Sequence, residues 1–493
     1  CLPLTEVQTE NEFFDYEAKY QGKVEEITPA RIPDALRDQI QAQTSFIYDL
    51  LDCRGIIRAD YIICQDGIYL LEVNTTPGMT ATSFIPQEVA ANGQTMAEVM
   101  DEIITDIIGL TMKQAYDDIR CYQECDYQNA QSQLWNDPEF LHLLRKIPFI
   151  PNADAYRQLA LSFPTLESFQ KGFVRPLLKE VCQMSHSQIT CSGLENIDKS
   201  KAYLFISNHR DIVMDTVQLN HILFENGFEP SETAIGNNLL IRPWIEHFVR
   251  LLKCFIVKRG VGVKEQILAS RELSSYIQDA IKQRGQCIWM AQREGRAKDS
   301  NDRTQKSVLK MLILSGGSNV LEELASLCPL PLSLSYEYDP CDYLKAKEMQ
   351  MKRDIEGFKK SPADDLLNML TGITGYKGRV HYHIDQCLSQ EILQMDASMP
   401  KNDLLQLIAD RIDASIHRHY RMYPNNYVAA DLLSGSKDFA DKYSNEDLLR
   451  FETYLNKQIE KIDIPQEQKD EAFLREKILE MYANPLKNHL NTL

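Results

Sequence analysis

From about residue 200 to 385, β-type runs alternate with helical periods: AYLFISN, CFIVKR, CIWMAQ, LPLSLSY and GRVHYHI are separated by stretches with apolar residues at helical spacing. Helices layered on a largely parallel sheet satisfy such alternation, so the expected class is α/β, a mixed sheet flanked by helices. The flanks read differently. Residues 112–180 are helical and polar-punctuated, and beyond about 386 only helix-like segments rich in Glu, Lys, Leu and Gln remain. Residues 1–111 read as an α+β piece of their own. GIIRADYIIC and IYLLEVN, separated by Gln65-Asp66-Gly67, predict a hairpin, and Met96, Val99, Met100, Ile103, Ile104 and Ile107 predict a helix over 93–111. At Met112 the register changes, as where a second protein joins in frame. The expected segments are therefore 1–111, 112–180, 181–385 and 386–493, in keeping with about three domains for this length.

Composition narrows the function classes. At 44% apolar and 25% charged the chain is globular, and no apolar run is long enough to span a bilayer. No secretory leader opens it, and Cys1-Leu2-Pro3 reads as a chain already under way. Twelve cysteines without paired spacing are expected to be reduced thiols, which points to the cytoplasm. A net charge of −18 argues against a nucleic-acid partner. Against that background, Arg242–Lys310 holds 15 Lys and Arg against 7 Asp and Glu, a local patch suited to phosphate or an anionic membrane surface. Within it, LLIRPWIEHFVRLLKCFIV reads equally as an interfacial segment, the cover of an acyl groove or plain core.

On a strand, side chains two apart share a face, so Arg58 with Asp60 and Glu72 with Asn74 can converge across the hairpin. Three oxygen-bearing side chains beside an arginine suit Mg²⁺ holding nucleotide phosphates, or else form a solvated polar face. FFDYEAKY, RADYII and LLEVNTTPGMTATS resemble the C-terminal half of D-alanine–D-alanine ligases of the ATP-grasp fold. The resemblance implies that Asp60, Glu72 and Asn74 bind magnesium, with ATP as co-substrate, and that Arg58 stabilises the tetrahedral oxyanion. It places Lys19 and Tyr20 on a closing loop, and Gly78 and Ser83 near the second D-alanine. The family's N-terminal domain and ATP clamp have no counterpart in these residues, so the segment is expected to be silent unless a partner supplies that half.

KAYLFISN is a β-type run ending on Asn208-His209, just before DIVMDTVQLNHILF, which is helix-like. A histidine in such a loop can act as a general base near neutral pH when a carboxylate orients it, and Asp211 or Asp215 can serve. Equally, His209 reads as a partly buried hydrogen-bonding residue and Asp211 as a helix cap. NHRDIVMD, FIVKRG, AQREGRAKD and LPLSLSYEYDP resemble, in order and spacing, the four motifs of glycerolipid acyltransferases; DDIRCY and QREGRAKDSNDRTQ extend the likeness over about 112–385. The resemblance makes His209 the base and Asp215 its partner. It assigns Lys258 and Arg259 to the acceptor's phosphate, Glu294 and Gly295 to the third motif, with Gly295 allowing close backbone approach, Arg296 to a second phosphate contact, and Pro331 to the acyl-donor side. It implies a glycerol-phosphate or lysophospholipid acceptor, an acyl-CoA or acyl carrier protein donor, and a place at the inner face of the membrane. The family pattern has four residues between histidine and aspartate, whereas five separate His209 from Asp215, and the third motif reads Arg293-Glu294-Gly295-Arg296-Ala297 instead of proline-glutamate-glycine-threonine-arginine. His381 with His383 on a strand, and His417 with His419 in the helical HRHYR, are not read as metal sites, neither pair having the carboxylate and cysteine company expected of one.

Overall fold

In the first of two units, Cys1–Asp117, strands β1 (Glu6–Thr9) and β2 (Val24–Ile27) pair antiparallel. The Gln65-Asp66 turn joins β3 (Arg58–Cys64) to β4 (Gly67–Asn74) in the expected hairpin. Its core is small: Ile85 and Val89 on the Phe84–Ala91 helix pack with Val99 on a helix described over residues 96–103. The computed structural model describes residues 1–9, 24–53, 55–103, 116–145, 147, 150, 152–185, 188–260, 262–317 and 319–493. Lys19, Tyr20 and the junction expected at 111/112 lie outside the described residues.

The second unit, Asp118–Leu493, is built on a seven-stranded sheet. Its strands are β5 (Gln188–Ser192), β6 (Leu204–Ser207), β7 (Glu232–Gly236), β8 (Cys254–Val257), β9 (Ile288–Ala291), β10 (Pro329–Tyr336) and β11 (Arg379–Ile384). They lie in the order β5-β11-β10-β6-β9-β7-β8, every neighbouring pair parallel except β10 with β11. This is the mixed α/β sheet expected from the alternation. All eight residues of β10 and all four of β6 are buried, as central strands covered on both faces require. Side-chain alternation on β10 and β11 divides the faces. Tyr336 and Tyr382 point toward the Met214–Glu225 helix, whereas Ser333 donates to the carbonyl of Ile416 in the Lys401–Arg418 helix on the other side.

The lead-in is tied to the β8 edge by polar contacts. The Ile256 amide donates to the Ile119 carbonyl at 2.8 Å, Arg250 to the Arg120 carbonyl at 2.9 Å, and the Cys121 thiol to Glu232 at 3.3 Å. Helices from 124 to 184 then pack an aromatic cluster of Trp135, Phe140, Phe169 and Phe173 against Trp244 and Phe248 of the Pro243–Leu251 helix. The C-terminal helices form a separate core around Phe451, Leu474, Ile478 and Tyr482.

That C-terminal core contains one titratable group with a pronounced consequence. Asp342 is fully buried and accepts hydrogen bonds from Tyr454 and Tyr482, both at 2.8 Å, and from Gln458 at 2.5 Å. Burial, followed by the charge of Asp339, pushes it from 3.8 up to about 7. An acid that holds its proton more tightly folded than unfolded contributes stability below 3.8, and that contribution is lost as pH rises through about 7. Asp342→Asn is expected to flatten the pH dependence of stability across this window, measured as urea midpoints at pH steps; an unchanged slope would refute the assignment.

Candidate active site at the carboxyl edge of the sheet

Four parallel strands release their chains at one edge of the sheet. His209 follows β6, Asn237 and Asn238 follow β7, Lys258 and Arg259 follow β8, and Gln292 to Arg296 follow β9. In open α/β sheets the crevice at the carboxyl ends of the strands is where ligands bind. Asn208 anchors the first of these loops by mimicking a backbone unit: its amide donates to the Leu334 carbonyl, and its oxygen accepts from the Leu334 amide, both at 2.9 Å.

His209 Nδ1 lies 2.8 Å from Asp215 Oδ2, the carboxylate being fully buried and the imidazole largely so. The same oxygen accepts the backbone amides of Arg210 at 2.8 Å and Asp211 at 3.1 Å, and Oδ1 accepts the Tyr336 hydroxyl at 2.9 Å. Burial, and then the charge of Asp215, hold the Tyr336 hydroxyl well above its ordinary value, so it serves as a donor. With Nδ1 protonated toward the carboxylate, Nε2 carries the lone pair. Trp289 stands edge-on to the ring at 5.7 Å. Asp211 does different work. Its Oδ1 accepts the amides of Val213 and Met214, both at 2.9 Å, at the start of the Met214–Glu225 helix, and its other side fits against Gly372, where a Cβ would come within 2.1 Å of Oδ2. It fixes the turn that leads into that helix, whose N-cap residue is Val213, while the carboxylate on the imidazole is that of Asp215.

His209 opens onto a cavity of about 1200 Å³. Toward one side it is walled by Trp135, Phe140, Phe173, Leu177, Trp244 and Phe248, from helices of the lead-in and of the basic segment. LLIRPWIEHFVRLLKCFIV thus covers a groove as well as filling core. Elsewhere the lining includes Lys258, Arg259, Arg293, Glu294, Gly295 and Arg296. Lys258 is paired with Glu272 at 3.0 Å, and Arg259 lies 3.6 Å from Glu294. Asn237 pins Arg259 by accepting its backbone amide at 2.9 Å. Arg293 Nε and Arg296 Nη1 are buried and make no hydrogen bond among the described residues, while Arg296 Nη2 donates to Asn368 at 3.1 Å. Burial, reinforced by Arg296, pushes Lys298 at the same cavity down to about 8.

Two residues sit differently from what the motifs suggest. Gly295 has φ +68°, and a Cβ at that position would meet nothing within 4 Å, so its backbone conformation, and not close approach, calls for glycine. Pro331 is buried inside β10, paired with Ile206, and is not among the cavity's lining residues. Arg293, Tyr336 and the lead-in part of the aromatic wall, Trp135, Phe140 and Phe173, were not singled out from sequence. Arg293 and Tyr336 both lay within quoted motifs, Arg293 in the third and Tyr336 in the fourth, but the contact of Tyr336 with Asp215 shows only once β10 is placed beside β6.

In the first unit the hairpin sets Arg58 opposite Asn74 and Asp60 opposite Glu72. Arg58 holds Asp60 through two bonds of 2.8 and 2.9 Å and lies 3.8 Å from Glu72. An all-oxygen donor set of Asp60, Glu72 and Asn74 on one face fits a hard divalent cation. Gly78 is crowded by Ser83, whose Oγ would lie 2.8 Å from a Cβ there and which bonds Thr80 at 2.8 Å.

Residues 1–105 match the family model described as D-ala D-ala ligase C-terminus, and residues 188–316 match that described as Acyltransferase. Over 104 residues the chain is 65% identical to the D-alanine--D-alanine ligase of Bacteroides fragilis, covering 21% of this chain and 32% of that protein. Over 107 residues it is 65% identical to that of Porphyromonas gingivalis, covering 22% and 32%. The chain thus spans about a third of the length of the curated relatives it matches. The crystal structure of the 1-acyl-sn-glycerophosphate (LPA) acyltransferase, PlsC, from Thermotoga maritima aligns over 58% of this chain and 95% of that chain, at 13% identity and a TM-score of 0.31. A ligase-type segment is therefore followed, in one chain, by an acyltransferase-type domain.

Because Asp211 holds the amides of the turn leading into the Met214–Glu225 helix while Asp215 holds the imidazole, Asp211→Ala is expected to lower stability by ~0.5–2 kcal/mol in urea unfolding while His209 Nδ1 keeps its hydrogen-bonded NMR resonance. Loss of that resonance would contradict the division of labour between the two aspartates.

Proposed function

We propose that the second unit is an O-acyltransferase that moves a fatty acyl group from an acyl thioester, acyl-CoA or acyl carrier protein, to a hydroxyl of a glycerol-phosphate-type lipid. The observation that carries this reading is the position of His209: an imidazole held by a buried carboxylate opens onto a cavity lined by apolar helices and by unpartnered arginine nitrogens.

The chemistry follows from that placement. His209 Nε2 takes the proton of the acceptor hydroxyl as its oxygen attacks the thioester carbonyl, and Asp215 stabilises the imidazolium through Nδ1–H. The tetrahedral adduct collapses with cleavage of the carbon–sulfur bond, and the imidazolium returns the proton to the leaving thiolate, so the histidine ends as it began. Arg293 and Arg296, with Arg259 nearby, supply donors for a phosphate, for which a guanidinium fork is suited. The aromatic wall takes the acyl chain, since burying methylenes there gains roughly 0.8 kcal/mol each. Lys258, already paired with Glu272, sets the positive field of the rim. An anionic membrane surface fits the basic segment as the place of work, and no helix among the described residues is long and apolar enough to cross a membrane.

A second reading applies to the first unit alone: its hairpin is the magnesium-side part of a D-alanine–D-alanine ligase site. The facing of Arg58, Asp60, Glu72 and Asn74 supports it. Mg²⁺ held there would neutralise nucleotide phosphates, and Arg58 would face the developing oxyanion. The 493-residue chain by itself is expected to release no phosphate from ATP with D-alanine.

With labelled acyl thioester and lysophosphatidic acid the chain is expected to form diacylated product, and His209→Ala to reduce turnover by ~10²–10⁴-fold; unchanged turnover would sink the base assignment. Arg293→Gln is expected to raise the acceptor KM by roughly tenfold or more, the worth of one charge-assisted hydrogen bond, with little effect on the donor KM. An equal rise in both constants would remove Arg293 from the acceptor side.

A further inference from the structure

The opposite face of the sheet holds a second constellation that the acyl-transfer site does not use. On β11, Tyr382 points toward Asp215, so His381 and His383 on either side of it point the other way. There the chain brings together residues far apart in sequence: His383 near the end of β11, Asp385 just beyond it, and His419 at the end of the Lys401–Arg418 helix. One potential ligand atom from each lies within 4.8 Å of the other two. The two imidazoles are face to face with ring centres 4.0 Å apart, and His419 Nδ1 is 3.4 Å from Asp385 Oδ2. Asp385 follows His383 by two residues, and the fold brings to them His419, whose distance in sequence hid the grouping.

We propose that His383, Asp385 and His419 bind a divalent transition-metal ion of the Zn²⁺ type, the stacked rings turning apart so that both lone pairs reach it and solvent completing its coordination. Two imidazoles and one carboxylate are a sufficient protein donor set for such an ion when a position is left open to water, and all three residues are only partly buried. Their outer contacts are those expected of ligands. His419 Nδ1 lies 2.9 Å from the Ser415 carbonyl, which accepts its proton and leaves the lone pair on Nε2; Ser192 Oγ meets His383 Nδ1 at 2.8 Å; and the Ser415 hydroxyl donates to Asp385 Oδ2. Ser192 also meets His381 Nε2 at 3.0 Å, and His381 Nδ1 meets Thr190 at 2.8 Å, so the β5 edge orients both histidines of β11. The ion would join the last strand of the sheet to the C-terminal helices, a structural link on the far face from His209.

The test compares the full chain with His383→Gln/His419→Gln after loading with Zn²⁺ and gel filtration, by elemental analysis and thermal unfolding. The wild type is expected to retain about one equivalent more zinc than the variant and to gain several degrees in Tm on loading, where the variant gains none. Co²⁺ loading is expected to give visible bands without thiolate charge-transfer absorption, which separates this site from binding by the cysteines. Equal zinc retention by the two proteins, or cobalt bands of thiolate type only, would overturn the proposal. Should the double variant fail to fold, Asp385→Asn, which preserves shape and the Ser415 contact, is expected to weaken zinc binding at least tenfold; unchanged affinity would overturn it equally.

Discussion

A carboxylate buried without water must find its partners in the protein, and Asp215 finds four. It accepts from His209, from two consecutive backbone amides and from Tyr336. An ionised carboxyl stripped of such partners would be costly enough to forbid the arrangement. Satisfying it therefore dictates geometry around it. The Arg210 and Asp211 amides reach one oxygen only if the chain turns sharply after β6, and that turn is how five intervening residues are accommodated between His209 and Asp215. The Tyr336 hydroxyl reaches the other oxygen only if β10 is the immediate neighbour of β6. Imidazole orientation, loop shape and strand order are three expressions of one electrostatic demand.

The rest of the crevice depends on strand direction. Because β6, β9, β7 and β8 run parallel, their outgoing loops gather at one edge, and residues far apart in sequence, His209, Arg259, Arg293 and Arg296, come to line the same cavity. The loop after β8 is fixed by reciprocal bonds between Asn237 and Arg259, and that after β9 by the left-handed Gly295 and by Gln305, which accepts the Glu294 amide at 2.8 Å. The side chains free to act project from backbones that are not free to move.

Much of this was legible from residue order because its signals are local. β6, β8, β9, β10 and β11 announce themselves as apolar runs, and the 65–66 turn as punctuation between β3 and β4. β5 and β7 do not: QITCS is a half-exposed edge strand, and ETAIG opens on a glutamate whose charge is met by Arg284 at 2.7 Å, a partner 52 residues away. The choice between Asp211 and Asp215 stayed open in the sequence because both flank the same helix start, and only the hydrogen bonds separate the residue that fixes the turn from the imidazole's partner. The lead-in part of the aromatic wall was hidden for a different reason. Trp135, Phe140 and Phe173 read as ordinary helical core, and they gain a cavity-lining character only once packed beside Trp244 and Phe248.

That wall has an implication for how such a protein can diversify. The residues bounding the greasy end of the chamber come largely from helices that precede the first strand of the sheet, whereas the imidazole and its buried acid belong to the first turn beyond β6. On the proposed reading, reshaping rings in the lead-in would alter the space offered to a hydrocarbon tail without disturbing a hydrogen bond of the dyad. Size selection and bond-making are thus encoded in separable stretches of the polypeptide, free to drift at different rates.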